Sequence, residues 1–521
     1  MLAKEIFSLV NLLFVVTALQ VSAQSTHKLP RSTPEAEGVS SAGINSFLDA
    51  AAKGKTEFHS IMFLRHGKVI AEGWWNPYKA DLTHSLYSTS KSFTAAAVGF
   101  ALTEKKLSLD DKVISFFPND VPATISPNLA ALTVKDVLMM SDGQDPDPTS
   151  VIPPKDNWVK EFLATPVINK PGTKFLYNSM GTYMLSAIVT KVTGQKIIDY
   201  LTPRLFEPLG IKGEDWETSP QGANTGGWGL RLHTEDMAKF GQLYLQKGMW
   251  NGKQLLPKEW VEEATTMKIM QDPNAPQSKK DSSDWLQGYC YQMWRCRHDG
   301  VRADGAFGQY IIMLPGEDAV IAITAETPDM QEEINLVWQY LLPAMHDGAL
   351  PADNDMAVKL KNRLAALALP PAAKTGVAKS FLFEKYNLQA NEKNIKSISF
   401  VDMRDKDGKV VIEGDTAEYK FNVGNGKWLT SSTTMPGPYL VSFEKGFYKN
   451  MPPMKVAGSF DWKDEHTLEL TLRYIESPHT AKMVCHFDGK NVTIDYYRSF
   501  EYGTKKVTLT GELAPVIGPV H

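Results

Sequence analysis

The spacing of apolar residues changes at Pro370-Pro371, and this change constrains the fold more than any other feature of the sequence. Before the two prolines, helical spacing dominates residues 105–285, with strand-like stretches on either side at 59–75 and 288–326. After them, segments such as "HTLELTLRY" alternate apolar and polar residues, which is typical of strands with one buried face. The pattern predicts an α+β fold: an antiparallel sheet flanked by helices, an all-helical lobe, and a C-terminal all-β domain.

These shifts also predict the domain boundaries. With 521 residues, the chain is too long for a single hydrophobic core. We predict an α+β domain over residues 24–348, a helix and linker over 349–375, and an all-β sandwich or barrel over 376–521. Because the two prolines follow a complete helical pattern, we expect the first domain to fold without the second.

The first residues, "MLAKEIFSLVNLLFVVTALQVSAQS", have the arrangement of a secretory signal peptide. Lys4 supplies the charged start, residues 7–19 are mostly apolar, and "VSA" before Gln24 offers a cleavage site of small residues. A membrane anchor is the alternative, but this stretch is shorter than the ~20 residues that a spanning helix needs. We therefore predict a signal peptide over residues 1–23, a periplasmic or secreted protein, and no membrane span after cleavage.

Charge and metal-ligating residue types argue against several other classes of protein. The formal net charge is −4 without a basic footprint, so we expect no nucleic-acid partner. The eleven histidines are scattered without the spacing of a metal site, and we predict neither a metal nor another cofactor. Three cysteines form no disulfide framework. The role of the C-terminal domain stays open between binding a glycan, a peptide or a protein surface and acting as a packing lid.

Local patterns predict individual elements of the first domain. The segment "SSAGINSFLDAAAKG" (40–54) has the spacing of a helix, and two strands flank the turn Arg65-His66-Gly67. A further helix begins with Thr234 as its N-cap and ends near Gly248. The segment "GYCYQMWRC" (288–296) has the pattern of a strand.

The segment "YSTSKSFTAAAVGFAL" (87–102) places Ser88 and Lys91 three residues apart at the start of an apolar stretch. On a helix, this spacing brings both side chains to one face. A serine hydroxyl needs a base to become a nucleophile, and burial favours the neutral amine form of a lysine. Two other Ser-x-x-Lys matches, at 25–28 and 442–445, do not start an apolar helix. A helix-capping serine beside a solvated lysine is the alternative.

A second segment, "PGTKFLYNSMGTYMLSAIV" (171–189), places Tyr177 just before another apolar helical pattern. The Tyr177 phenol could share a proton with Lys91, either as phenolate and ammonium or as phenol and amine. A buried tyrosine with one ordinary hydrogen bond is the alternative.

Together with "LTVKDVLMMSDG" (132–143) and "GGWGLRLHTEDMAKFGQLYL" (226–245), these segments make residues 34–345 resemble the β-lactamase-related serine hydrolases. This superfamily includes class C β-lactamases, D-Ala-D-Ala carboxypeptidases, family VIII esterases and 6-aminohexanoate-dimer hydrolases. The resemblance implies a β-lactamase/transpeptidase-like fold. It also implies that Ser88 is the acylated nucleophile and donates its amide to the oxyanion, with Lys91 and Tyr177 as the proton shuttle.

Two motifs depart from the family's usual pattern. The usual Tyr-x-Asn reads Tyr177-Asn178-Ser179, so Ser179 stands where the asparagine is expected and Asn178 comes one place early. The usual Lys/His-Thr/Ser-Gly is replaced by Ala303-Asp304-Gly305, and the next amide would complete the oxyanion hole. The candidate oxyanion and substrate-binding residues are therefore Ser88, Asn178, Ser179, Asp304, Gly305 and Ala306.

The altered third motif bears on the substrate. In this family, the missing cation normally helps to hold a carboxylate, and Asp304 would repel one, although Arg302 or Arg297 could compensate. The segment "GQYIIMLP" is closer to the aminohexanoate-dimer hydrolase and esterase branches. We therefore expect a serine acyl hydrolase that cleaves small esters or amides. β-Lactamase or D-Ala-D-Ala peptidase activity and a non-catalytic binding module on the same fold are the alternatives.

Overall fold

The computed structural model describes residues 28–150, 157–377, 381–403, 407–415, 417–438 and 452–515. The predicted signal peptide lies outside the described residues, so it stays a prediction. Within these ranges, no helix combines the length and the apolar character that a membrane crossing requires.

An antiparallel sheet of six strands forms the centre of the first domain. Its strand order is β2-β1-β11-β10-β9-β8, and three short strands and a short hairpin lie outside it. The strands of this domain are β1 (Glu57–Arg65), β2 (Lys68–Trp74), β3 (His84–Ser85), β4 (Asp215–Trp216), β5 (Leu230–Leu232), β6 (Met249–Trp250), β7 (Lys253–Gln254), β8 (Trp294–Arg295), β9 (Val301–Gly305), β10 (Gln309–Leu314) and β11 (Ala319–Glu326). The β1–β2 hairpin has the predicted turn, in which His66 and Gly67 have positive φ angles of 49° and 72°.

Helices cover the sheet and form the lobe between β2 and β8. The helices are α1 (Ser41–Ala51), α2 (Ser90–Thr103), α3 (Pro127–Ala131), α4 (Val134–Leu138), α5 (Trp158–Ala164), α6 (Ser179–Thr193), α7 (Ile197–Leu201), α8 (Glu207–Leu209), α9 (Thr234–Leu245), α10 (Lys258–Thr265), α11 (Gln277–Ser282), α12 (Met330–Leu336) and α13 (Asn354–Ala365). In α1, Ser40 caps the N-terminus, and Ile44, Phe47, Leu48 and Ala51 are buried at helical spacing.

Helix α2 carries the apolar stretch after Lys91, and every residue from Ser90 to Ala101 is buried. Because apolar residues lie on all sides of this helix, its amphipathicity is low and it requires packing partners all round. At Gly99, a Cβ atom would lie 2.4 Å from Trp260 Cε2 in α10, so only glycine lets the two helices approach this closely.

Two local predictions are wrong. The N-cap of α9 is His233, one residue before Thr234, because Thr234 already has a helical position and donates its hydroxyl to Ser60 Oγ at 2.7 Å. Residues 288–296 do not form a continuous strand: only Trp294–Arg295 pairs as β8, because Gly288 and Gln292 have positive φ angles that interrupt an extended chain.

The C-terminal domain is a barrel rather than a sandwich. Its strands run in the order β15-β14-β13-β12-β21-β20-β19-β18-β17-β16, and a pairing between β15 and β17 closes the sheet. The strands are β12 (Phe381–Leu388), β13 (Ile395–Met403), β14 (Asp407–Gly414), β15 (Glu418–Asn425), β16 (Leu429–Thr433), β17 (Met454–Trp462), β18 (Thr467–Tyr474), β19 (Thr480–Asp488), β20 (Asn491–Arg498) and β21 (Val507–Leu513). In β18, Leu468, Leu470, Leu472 and Tyr474 point into the barrel core, as the alternation predicts.

Polar groups are buried where the barrel meets the first domain. Arg473 in β18 forms a bidentate ion pair with Glu57 of β1. The Tyr78 hydroxyl donates to the Ser477 carbonyl at 3.0 Å, and the Ser85 amide donates to the Glu476 carbonyl at 3.0 Å. The fold class is thus confirmed. That the first domain folds by itself stays a prediction.

Candidate active site

Ser88 lies in a 3₁₀ turn, Tyr87–Thr89, that joins β3 to α2. The turn begins with Tyr87 in the left-handed region at a φ of 47°, which is uncommon for an aromatic residue. Ser88 is partly exposed, whereas its neighbours on both sides are buried. Its hydroxyl is therefore accessible from a cleft and stands on a tightly held backbone.

Lys91 is directed at Ser88 from the first turn of α2. Its Nζ atom lies 3.0 Å from Ser88 Oγ, 3.1 Å from Ser179 Oγ and 2.7 Å from the Gly227 carbonyl oxygen. Lys91 is only 1% exposed, so the alternative of a solvated lysine does not hold. Ser88 does not cap the helix either: the N-cap of α2 is Thr89, and no side chain caps the helix.

The environment of Lys91 favours a neutral amine. Burial lowers the pKa of Lys91 from its ordinary value to about 7, although the charges of Asp147 and Asp304 act in the opposite direction. A carbonyl oxygen only accepts, so one Nζ hydrogen must go to Gly227. A neutral amine can give its second hydrogen to Ser179 and accept the proton of Ser88 on its lone pair. The three contacts therefore suit a base.

Tyr177 stands on the other side of Ser88. Lys91 Nζ lies 4.9 Å from the centre of the Tyr177 ring. The Tyr177 ring stacks on Trp294, with ring centres 5.6 Å apart. Desolvation raises the pKa of the Tyr177 phenol and the charge of Asp304 adds to this rise, while a hydrogen bond with Ser88 opposes it. A lowered lysine pKa and a raised tyrosine pKa favour phenol and amine over phenolate and ammonium.

The side chains of Asn178 and Ser179 make different contacts. Ser179 is the first residue of α6, and its hydroxyl contacts Lys91. Asn178 caps the same helix: its Oδ1 accepts from the Gly181 amide at 3.0 Å, and its Nδ2 donates to Gln144 Oε1 at 2.9 Å. Both polar ends of Asn178 are therefore used within the helical lobe. The structure does not bring its side chain to Ser88, which corrects its placement among the candidate substrate-binding residues.

The end of β9 packs directly against the turn that carries Ser88. A Cβ atom on Gly305 would lie 2.2 Å from the Leu86 carbonyl oxygen and 3.0 Å from Thr89 Oγ1, so only glycine permits this approach. Thr89 also donates to the Gln309 carbonyl at 2.8 Å. This close contact supports the register Ala303-Asp304-Gly305 for the third motif. Within the described residues, neither the Ser88 amide nor the Ala306 amide has a hydrogen-bond acceptor.

Asp304 is paired with an arginine on its own strand. Arg302 Nε and Nη2 lie 3.0 and 2.9 Å from Asp304 Oδ2, and the guanidinium lies over the ring of Trp285 at 4.5 Å. Burial raises the pKa of Asp304, and Arg302 opposes this rise. Arg297 is bound to Asp284 instead. Neither arginine is therefore free to hold a substrate carboxylate.

A cleft of about 500 Å³ opens above Ser88. Sequence reasoning missed its aromatic wall, Trp285 and Trp294, and also Gly227, whose carbonyl holds Lys91. The Gly226-Gly227 pair in "GGWG" was the available signal, since a Cβ on Gly227 would lie 2.8 Å from the Ser179 carbonyl oxygen. The cleft is lined by Ser88, Tyr177, Trp285, Trp294, Asp304, Ala306, Pro328, Asp329, Met330 and Gln331.

Comparisons with known proteins agree with this geometry. The model of the β-lactamase family matches residues 49–342, more than half of the chain. The 6-aminohexanoate-dimer hydrolase of Paenarthrobacter ureafaciens is 26% identical over 290 residues, which cover 52% of this chain and 73% of that protein. A candidate D-alanyl-D-alanine carboxypeptidase of Escherichia coli K12 is 29% identical over 160 residues, 28% of this chain and 36% of that protein.

Among solved structures, a candidate 6-aminohexanoate-dimer hydrolase from Bacillus anthracis superposes with a TM-score of 0.52 at 20% identity, covering 62% of this chain and 89% of that chain. At this identity the likeness shows the fold alone. The fold and the family match together define an enzyme of the serine hydrolase class. The chain belongs to the β-lactamase family.

Proposed function

We propose that this protein is an exported enzyme that hydrolyses small esters or amides through an acyl-enzyme on Ser88. The observation that carries the proposal is the contact of 3.0 Å between Ser88 Oγ and the Nζ atom of a lysine that is 1% exposed. Among the residues that the structure describes, no carboxylate is in hydrogen-bond contact with Lys91. A buried lysine of this kind, directed at a partly exposed serine, is suited to nucleophilic catalysis.

In the acylation step, Ser88 Oγ attacks the substrate carbonyl carbon and its proton moves to the neutral amine of Lys91. The carbonyl electrons move to the oxygen, which accepts hydrogen bonds from the Ser88 and Ala306 amides. The tetrahedral intermediate then expels the alcohol or amine, which takes up a proton from Lys91 through the Tyr177 phenol. Deacylation repeats these steps with water as the nucleophile and Ser88 as the leaving group.

The side of the cleft that β9 forms, called the strand side below, favours a neutral substrate. Asp304 presents a carboxylate where the family pattern has a hydroxyl, and Arg302 is engaged with Asp304 at 2.9 Å. An incoming carboxylate would meet the Asp304 carboxylate, and both Arg302 and Arg297 are already paired with aspartates. Trp285 and Trp294 offer apolar surface for a small acyl or alcohol group. The relative named 6-aminohexanoate-dimer hydrolase supports an amide as the bond cleaved; that linear dimer also ends in a carboxylate, so the likeness supports the bond type and not a neutral charge.

β-Lactam or D-Ala-D-Ala hydrolysis is the second candidate, favoured by the carboxypeptidase-like relative. Substrates of both kinds carry a carboxylate, and the Arg302–Asp304 pair disfavours them. A binding module without turnover is a third alternative. The preserved Ser88–Lys91–Tyr177 constellation argues against it, because a binding module needs no buried base.

The proposal is tested by intact-mass analysis after treatment with a fluorophosphonate probe. We expect one adduct on the wild-type chain, mapped to Ser88 and absent from Ser88→Ala. Ser442→Ala is the matched control, because it removes the serine of another Ser-x-x-Lys match and should label like wild type. An adduct at another residue, or an undiminished adduct on Ser88→Ala, would contradict the proposal.

A further inference from the structure

His479 of the barrel reaches across the domain interface to the active site. It lies just before β19, is fully buried, and contacts residues next to both proposed oxyanion amides. Tyr87 immediately precedes Ser88, and Phe307 immediately follows Ala306. Both aromatic residues have left-handed backbone conformations, with φ angles of 47° and 67°. This conformation is disfavoured for aromatic residues and persists only where the surroundings hold it.

A chain of hydrogen bonds fixes Tyr87. The Tyr87 hydroxyl lies 2.5 Å from His479 Nε2, and His479 Nδ1 lies 2.8 Å from Glu326 Oε1 at the end of β11. The same carboxylate oxygen accepts from the Ser499 hydroxyl at 2.8 Å. A carboxylate only accepts, so Nδ1 carries a proton, and in the tautomer without a second ring proton Nε2 accepts from Tyr87. Glu326 therefore sets the tautomer that receives the Tyr87 hydroxyl.

The same histidine packs against Phe307. Their ring centres are 4.8 Å apart with the planes nearly perpendicular, and Phe500 of the barrel contacts both rings at 5.7 and 4.7 Å. The Phe307 carbonyl accepts from the Thr327 amide at 3.1 Å, next to Glu326. The Gly308 amide donates to the Gly305 carbonyl at 3.2 Å, which closes the turn that contains Ala306.

Each oxyanion amide belongs to a peptide unit that these contacts orient. The Ser88 N–H lies in the peptide unit shared with Tyr87, so a rotation of Tyr87 redirects it. The Ala306 N–H shares a peptide unit with the Gly305 carbonyl, and the conformation of Phe307 keeps that carbonyl bonded to Gly308. We propose that His479 is a positioning residue of the barrel that orients both oxyanion amides through Tyr87 and Phe307. This proposal rests on the proposed function.

The proposal gives the barrel a role in the reaction, in contrast to a lid or an independent binding module. The same interface offers a matched control. Tyr78 also buries its hydroxyl there and donates it to the Ser477 carbonyl at 3.0 Å, but it does not adjoin Ser88 or Ala306. Tyr87→Phe and Tyr78→Phe each remove one interfacial hydroxyl and keep the ring. A purely structural role would make the two variants behave alike.

The test measures kcat and KM for p-nitrophenyl butyrate, together with inhibition by phenylboronic acid, in the full chain. A boronate bound to Ser88 is tetrahedral and places an oxygen where the oxyanion forms. For Tyr87→Phe we expect kcat to fall about 10- to 100-fold, with KM nearly unchanged and boronate affinity reduced by a similar factor. Tyr78→Phe should retain both values to within about twofold. His479→Phe, which keeps a ring against Phe307, should lower kcat at least as much as Tyr87→Phe.

The outcomes separate the two proposals. If wild-type protein forms no adduct at Ser88 with the fluorophosphonate probe, the proposed function fails and this inference fails with it. If the adduct forms but Tyr87→Phe and Tyr78→Phe have the same kcat and boronate affinity, only the positioning role is overturned. Thermal unfolding of both variants is also recorded. If the two variants unfold at the same temperature and lose the same fraction of kcat, the positioning role is overturned as well.

Discussion

The two sides of the cleft differ in how their charged groups are paired. The helix side carries Ser88, Lys91 and Tyr177, and the strand side carries Asp304. On the helix side, Lys91 is buried among hydroxyl and carbonyl groups, no carboxylate of the described part of the chain is in hydrogen-bond contact with it, and its pKa is lowered to about 7. On the strand side, Asp304 is buried beside Arg302, whose Nη2 lies 2.9 Å away. Lys91 can become a neutral base because its described contacts are hydroxyl and carbonyl groups. Asp304, in contrast, is held in place by its ion pair with Arg302.

This difference teaches which part of the site carries which task. In the proposed mechanism, proton transfer depends on the helix side, where Ser88, Lys91 and Tyr177 match the family's pattern. In the same proposal, recognition of an anionic substrate would depend on the strand side, where Ala303 and Asp304 stand in place of the cation and hydroxyl of the family pattern. Ala303 itself is fully buried in the domain core. The chemistry can therefore be retained while the substrate class changes.

The largest effect is expected from removing the base on the helix side. Lys91→Met should lower kcat/KM for p-nitrophenyl butyrate by about 10²–10⁴-fold, because a positioned general base contributes about that much. Lys106→Met removes an exposed lysine just after the same helix and serves as the control. Steady-state kinetics on both variants checks this. A Lys91→Met enzyme within tenfold of wild type would remove the lysine from the mechanism.

The second effect is a dependence of kcat/KM on pH that follows the protonation of Lys91 on the helix side. The amine of Lys91 acts only when unprotonated, and its pKa is lowered to about 7. Activity should therefore rise with pH, by about tenfold per unit below pH 7, and level off above it. The phenol of Tyr177 has a raised pKa, so no loss is expected up to pH 9. The measurement is kcat/KM from pH 5 to 9, and a profile that falls with rising pH would contradict the assignment.

A smaller effect is expected on the strand side. Asp304→Asn removes the negative charge and leaves Arg302 without its carboxylate. We expect the ratio of kcat/KM for a nitrophenyl ester with a terminal carboxylate to that for p-nitrophenyl butyrate to rise about tenfold, which corresponds to one charge-assisted hydrogen bond. Asp299→Asn makes the same charge change at a fully exposed site. An unchanged ratio in Asp304→Asn would mean that this pair does not select against anions.

The smallest effect on turnover is expected at Asn178. Because Asn178 caps α6, Asn178→Ala should lower the free energy of unfolding by about 1 kcal/mol. Ser179→Ala, which removes a Lys91 contact from the neighbouring position, should lower kcat more than Asn178→Ala does. Urea unfolding and steady-state kinetics on the two variants check this order. The reverse order would return Asn178 to the group of substrate-binding candidates.

Local signals in the sequence predicted the helix side well. Ser88 and Lys91 are one helical turn apart, so their contact follows from spacing, and Tyr177 precedes a recognisable helix. The fold class followed from the change in apolar spacing at Pro370-Pro371. Features that depend on distant parts of the chain could not be predicted: the Gly227 carbonyl on Lys91, the tryptophans of the cleft, and His479 beside Tyr87. Asn178 was misplaced because sequence position cannot tell a capping amide from one that faces the cleft.

The account's central claim is that the helix side still performs acyl transfer while the strand side no longer favours anionic substrates. It is tested most directly by comparing kcat/KM for p-nitrophenyl butyrate and for nitrocefin, a β-lactam that carries a carboxylate, with Ser88→Ala as the blank. We predict faster turnover of the ester and no turnover of either substrate by Ser88→Ala. Faster turnover of nitrocefin, or ester hydrolysis that survives in Ser88→Ala, would contradict the claim.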